Sequence, residues 1–227
     1  MGGYPGAVNR YQFVRNSDVL ERLKRSEFVS DIRELKGVPV TLQLRQQDFV
    51  QNPSDAYAVL WSAAGGFGDP LERDPAKVEA DVRNGDVSAV AARQIYGVII
   101  GDADATERER ALLREKRLQG RRSGAKKLNG KVNFLATENL AVRGSRYSCA
   151  RCATDLGSIH SNYKDACVRN DAPIEASNPI VGDPKRFIDP TPQFRQFCCP
   201  GCGLLIENEI AVAEDPPLRD VELHRKG

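Results

Sequence analysis

The chain reads as an α+β protein: an incomplete α/β fragment that packs on a partner subunit, followed by a β-rich module. Three observations predict this. Short, capped helical segments alternate with short apolar runs through the first hundred residues. The chain opens in the Gly/Pro-rich stretch Met1-Gly2-Gly3-Tyr4-Pro5-Gly6 and passes at once to short elements, as if the start of a domain were missing. The last hundred residues carry strand formers and all six cysteines, four of them in two Cys-x-x-Cys pairs.

The first part supplies its own punctuation. Asp18 with Glu21 has capping-box spacing ahead of Val19, Leu20 and Leu23. Val38, Val40, Leu42 and Leu44 alternate with other residues as in a half-buried strand. In Ala63-Ala64-Gly65-Gly66-Phe67-Gly68-Asp69-Pro70 the glycines mark a loop where backbone approaches a neighbour closely or takes positive φ. A tight turn packed on a neighbour explains it better than an anion cradle. Asp74, Pro75 and Gly85 bracket a helix with Val78 and Val82 on one face. Ser88 caps another that runs to Arg93. The apolar Tyr96-Gly97-Val98-Ile99-Ile100 then reads as a strand or a buried terminal segment, and Thr106 with Glu109 opens a charged helix to about Arg122.

Charge limits the partners. The 33 basic and 31 acidic residues nearly cancel, so the whole chain has no field to draw it to nucleic acid or an anionic membrane. Residues 114–131 are the local exception. Arg114, Lys116, Arg117, Arg121, Arg122, Lys126, Lys127 and Lys131 are opposed only by Glu115, among interspersed glycines. A solvated linker is the simpler reading, and a basic arm on an acidic surface or RNA the sharper one. No basic n-region with an apolar stretch begins the chain, and no segment reaches the roughly 18 apolar residues of a membrane span. Gly6 stands where a myristoylation motif requires Ser or Thr. A soluble, cytoplasmic protein with reduced thiols is expected.

Reduced, paired cysteines point to a metal. A Cys-x-x-Cys turn places two sulfurs on one side of a knuckle. Cys149 and Cys152 with Cys199 and Cys202 therefore supply four thiolates for a structural Zn2+, in a zinc-ribbon-like module. The 46 intervening residues only close a loop, whose entropy grows slowly with length. Four thiolates leave no position for water or substrate, so the metal holds the fold. Two unrelated cysteine pairs or a redox dithiol are the alternatives, but the latter calls for a helix start beside a βαβ unit. Cys198 and Cys199 cannot both satisfy the spacing. Cys199 is the expected ligand, with Cys198 and Cys167 small buried residues. His160 and His224 are expected on the surface. Leu204-Leu205-Ile206-Glu207-Asn208-Glu209-Ile210-Ala211-Val212 reads as a strand closed by Glu214-Asp215-Pro216-Pro217.

Catalytic patterns are lacking. There is no Gly-rich loop ending in Lys-Ser/Thr and no Ser-His-Asp, Cys-His or H-E-x-x-H arrangement, and the chain has two histidines. No catalytic or cofactor-binding residue is assigned.

Two resemblances add to this reading. Residues 2–100 resemble the C-terminal end of the hydantoinase B/oxoprolinase family. The likeness lies in Gly2-Gly3-Tyr4-Pro5-Gly6 with Asn9-Arg10-Tyr11, in Gly65-Gly66-Phe67-Gly68-Asp69-Pro70-Leu71-Glu72-Arg73-Asp74-Pro75, and in Val78, Asp81-Val82, Gly85, Val87-Ser88, Ala91-Ala92 and Tyr96-Gly97-Val98. Ala63-Ala64 replaces part of that family's longer glycine run. Residues from about 138 to 227 resemble the small zinc-bearing subunit of acetone carboxylase, through Cys199-Pro200-Gly201-Cys202-Gly203-Leu204-Leu205 and Asp215-Pro216-Pro217-Leu218-Arg219-Asp220-Val221-Glu222-Leu223. Three segments follow: 1–105 hydantoinase B-like, 106–137 a charged helix and basic linker, and 138–227 a zinc-binding, acetone carboxylase gamma-like domain.

Together the resemblances imply a non-catalytic subunit of an ATP-dependent ketone carboxylase of the acetone or acetophenone type. A hydantoinase A-like partner binds ATP. A large hydantoinase B-like partner helps join the ketone enolate to a carboxyl group derived from bicarbonate, giving a 3-oxoacid. ATP and bicarbonate belong to those partners, and association with them is expected to be obligate. ATP-dependent hydrolysis of a lactam or hydantoin is the other chemistry of the same family. A nucleic-acid-binding zinc ribbon is a third reading, weakened because 114–131 holds no aromatic residue to stack on a base.

Overall fold

The structure, a computed structural model, describes residues 2–6, 9–42, 47–121, 124–178, 183–186 and 188–223. It forms two compact units, residues 6–64 and residues 1–5 with 65–227.

The smaller unit is one antiparallel sheet. Strands β1 (Arg10–Arg15), β2 (Val38–Val40) and β3 (Ala56–Leu60) lie in the order β2-β1-β3, with helix α1 (Val19–Lys24) between β1 and β2. The expected α/β pattern is thus realised without a parallel crossover. Helix α1 has six residues and buries none of them, so it cannot cover a sheet face as a crossover helix does. Asp18 precedes α1 but does not cap it. Its carboxylate accepts from Arg22 Nε and Lys36 N, both at 2.9 Å, and the capping box forms instead at Asp31 and Glu34. The strand expected through Leu44 stops at Val40, with Leu42 outside it and Leu44 outside the described residues. As an edge strand containing Pro39, β2 leaves Val38 exposed.

Among the described residues, Phe13 and Val14 are the buried apolar side chains of this unit. Phe49 packs edge-on against Phe13, with ring centroids 4.5 Å apart, under the Arg15 guanidinium. Phe28, Val50, Tyr57 and Trp61 stay exposed, Phe28 at 85% and Trp61 at 76%. That is a thin core for so many apolar residues.

The larger unit begins with three helices. In α2 (Pro75–Asn84) Asp74 accepts from Ala76 N, Pro75 takes the first position and Gly85 ends the helix at φ 83°, as its sequence predicts. In α3 (Ala89–Gln94) Ser88 Oγ accepts from Ala91 N. Val78, Ala92 and Val98 close a small core between them. Residues 96–100 are not a strand but a turn buried at Gly97 and Val98, because Val98 N donates to Ala92 O at 2.9 Å and Gly97 turns at φ 63°. Helix α4 (Ala103–Leu118) starts earlier than expected. Asp102 is the cap, while Thr106 lies inside the helix and receives Ile99 N–H. Left-handed Gln119 and Gly120 stop it before Arg122, which lies outside the described residues.

Part of the basic run turns inward. Arg114 pairs with Glu72 and Arg117 with Asp69, each at 2.7 Å, so two of its charges are internal to the unit.

Two antiparallel sheets complete the unit. Strands β4 (Phe134–Leu135), β5 (Leu140–Arg143), β6 (Arg146–Cys149) and β7 (Asp155–Ser158) run in the order β4-β5-β6-β7. Strands β8 (Val168–Pro173), β9 (Pro192–Cys198) and β10 (Leu205–Val212) run in the order β10-β9-β8. Leu140, Val142, Tyr147, Leu156, Tyr163, Leu204 and Ile206 form the main core, with Cys149 and Cys199 among them.

Beside this core lies a buried charge cluster. Glu209 on β10 joins Lys164 at 3.0 Å and the fully buried Arg195 at 3.2 Å. Lys164 also reaches Asp220 and the carbonyl of Leu218, which ties the segment after Pro217 onto the core. Burial, reinforced by Asp220, pushes the Tyr163 hydroxyl above the ordinary phenol range. Glu209→Ala leaves the buried Arg195 without a carboxylate and Lys164 with Asp220 alone, and should cost about 3–5 kcal/mol, read as a lower denaturant midpoint at unchanged slope.

Candidate metal centre

Two turns of matching design carry the four sulfurs. At the end of β6, Cys149 N donates to Thr154 O at 2.9 Å, and Ala153 N donates to Cys149 O at 3.0 Å. At the end of β9, Cys199 N donates to Leu204 O at 2.8 Å, and Gly203 N donates to Cys199 O at 2.9 Å. Each knuckle therefore repeats the same pair of bonds four and five residues on. In both, the fourth residue after the first cysteine is left-handed, Ala153 at φ 59° and Gly203 at φ 70°. Gly203 meets that demand without strain and Ala153 does not.

The knuckles meet sulfur to sulfur. Cys149 Sγ lies 3.7 Å from Cys202 Sγ, Cys152 Sγ lies 3.6 Å from Cys199 Sγ, and all four fall within 4.8 Å of one another. A tetrahedron with metal–sulfur bonds of about 2.3 Å has sulfur–sulfur edges of about 3.8 Å, so the set fits a four-coordinate thiophilic ion. These separations are far beyond a disulfide bond, and all six cysteines are free. Glycine at 201 permits the approach, since a Cβ there would sit 2.1 Å from Thr154 Oγ1. Thr154 Oγ1 in turn contacts Cys152 Sγ at 3.1 Å, and Gly201 N donates to Cys199 Sγ at 3.4 Å.

Contacts within the group shift its thiols in opposite directions. The hydrogen bond with Cys152 pushes the Cys149 thiol up, while the same contact pulls Cys152 down. Burial pushes Cys198 up to about 11 and Cys167 higher still, so both stay protonated and apolar.

The choice between adjacent cysteines is thereby geometric: Cys199 joins the group, whereas Cys198 faces Asn170 Nδ2 at 3.8 Å. His160 is outside the cluster, its carbonyl accepting from Arg219 and its amide donating to Ser158 Oγ. His224 lies outside the described residues. The sequence does not reveal Asp69 or Asn139 as supports, because their roles depend on contacts dozens of residues away. No helix among the described residues is long and apolar enough to cross a membrane.

Comparison with known proteins places the centre in a familiar setting. The sequence model of the acetone carboxylase gamma subunit family matches residues 133–226, a span that contains all four cysteines. A separate likeness joins the chain to the caprolactamase subunit beta of Pseudomonas jessenii. It is 54% identical over 52 residues, 21% of this chain and 9% of that protein. The C-terminal segment is acetone carboxylase gamma-like. The chain spans less than a tenth of the length of that curated relative.

Because Ala153 occupies the left-handed position that Gly203 fills in the other knuckle, Ala153→Gly should relieve about 1 kcal/mol of strain and raise the thermal midpoint. Differential scanning calorimetry of the metal-loaded chain reads the shift.

Proposed function

We propose that this chain is a zinc-holding, non-catalytic subunit of an ATP-dependent ketone carboxylase complex. The observation that carries the reading is that the four clustered sulfurs lie inside the span matching the acetone carboxylase gamma subunit family. Cys149, Cys152, Cys199 and Cys202 are the proposed ligands. Bound there, Zn2+ supplies a cross-link between the two knuckles, with no open position for substrate. In this reading residues 1–105 are the hydantoinase B-like segment, residues 106–137 the charged helix and basic linker, and residues 138–227 the zinc-binding domain.

The rest of the complex does the chemistry. Hydantoinase A-like and hydantoinase B-like large subunits use ATP and bicarbonate to carboxylate a ketone. The exposed Phe28, Val50, Tyr57 and Trp61 of the smaller unit support burial against such a partner, where removing apolar surface from water contributes about 25 cal/mol per Å2.

A second reading keeps the assembly and changes the reaction to ATP-dependent lactam hydrolysis. The stretch shared with the caprolactamase subunit beta favours it.

Zinc content and activity test separate parts of this proposal. Elemental analysis of the purified chain should give one zinc per molecule, falling severalfold on Cys199→Ser. The co-purified complex should hydrolyse ATP only with both a ketone and bicarbonate. ATP hydrolysis driven by a lactam without bicarbonate would select the second reading.

A further inference from the structure

Beside the metal centre is a cavity of about 350 Å3 whose walls include Tyr4, Phe67, Tyr96, Asp69 and Asn139. Its rim is the glycine loop 65–70 laid against residues 3–5. Gly66 N donates to Tyr4 O at 2.8 Å, and a Cβ on Gly3 would lie 1.8 Å from Gly66 O. Two polar residues form its floor, and both are tied to the knuckles.

Asp69 is buried, and its carboxylate collects four donors. Leu71 N and Arg117 Nη2 reach Oδ1 at 3.0 Å. Arg117 Nη1 at 2.7 Å and Leu205 N at 2.9 Å reach Oδ2. Leu205 lies three residues past Cys202, and Arg117 also donates to Gly203 O at 3.2 Å. Asn139, likewise buried, touches both knuckles. Its Nδ2 donates to Leu205 O at 2.8 Å, and its carbonyl accepts from Ala150 N, between the first two cysteines, at 3.1 Å.

We propose that Asp69 and Asn139 make this cavity conditional on metal at the four sulfurs, because Asp69 ties the glycine loop, and Asn139 its own wall of the cavity, to main-chain groups that the knuckles position. The inference rests on the zinc reading above. A buried carboxylate is tolerated here because four donors reach it, and displacing Leu205 withdraws one of them from a charge whose side chain is fully buried. The cost of moving the second knuckle thus falls on Asp69 and, through Asp69-Pro70-Leu71, on the loop. The metal centre thereby shapes a concave surface in which it takes no direct part.

Hydrogen exchange on the full chain, zinc-loaded and chelator-stripped, tests this beside zinc analysis of each sample. Stripping should speed exchange of residues 2–5 and 65–72 by about tenfold or more, while α2 and α3 keep their protection. Asp69→Asn should speed the same segments with zinc still at one per chain, and Arg117→Lys, which keeps the charge but loses the fork, should do so more weakly. Opening of 149–154 and 199–205 alone, with 65–72 unchanged, overturns the coupling while leaving the zinc reading intact. Loss of protection throughout, α2 and α3 included, also overturns it. A chain that takes up no zinc sinks both.

Discussion

Everything in the larger unit is referred to one constraint: two turns, 46 residues apart, must bring four sulfurs to a single point. Each turn closes on itself by the same two main-chain bonds, so the sulfurs are aimed before they meet. The ends of β6 and β9 thereby come together, beside the main core.

Charge performs the remaining fastening. Asp69 with Arg117 joins the glycine loop to α4 and to the second knuckle, and Glu209 with Lys164 and Arg195 joins β9 and β10 to the C-terminal segment. Both are buried, and both are rich in donors and acceptors, which is the condition under which burial of charge is sustained. Such clusters specify one arrangement more sharply than apolar contacts do, since a shifted partner leaves a charge unmet. The basic run that reads as a linker yields Arg114 and Arg117 to this purpose.

Legibility in the sequence followed the range of the interaction. Asp74, Pro75, Gly85 and Ser88 act on amides within a few residues, and the helices they delimit appear where expected. Asp18 and Thr106 have the same spacing signals and do not cap, because Arg22 with Lys36 claims the first and Ile99 the second. Residues 96–100 have strand composition, yet helix α3 takes the bond that a neighbouring strand would have supplied.

By itself the sequence pointed to two cysteine pairs as candidate ligands, through their spacing and the glycines that let a knuckle turn. It also determined the helix bounds that depend on local amides. Only the tertiary structure decided that Cys199 and not Cys198 faces the other sulfurs, that the first sheet is antiparallel, that Asp69 joins the glycine loop to the second knuckle, and that Asn139 bridges the two knuckles. The reason is physical: spacing along the chain encodes contacts within a turn, whereas a strand's pairing partner and a buried carboxylate's donors are settled by which distant segments arrive beside them.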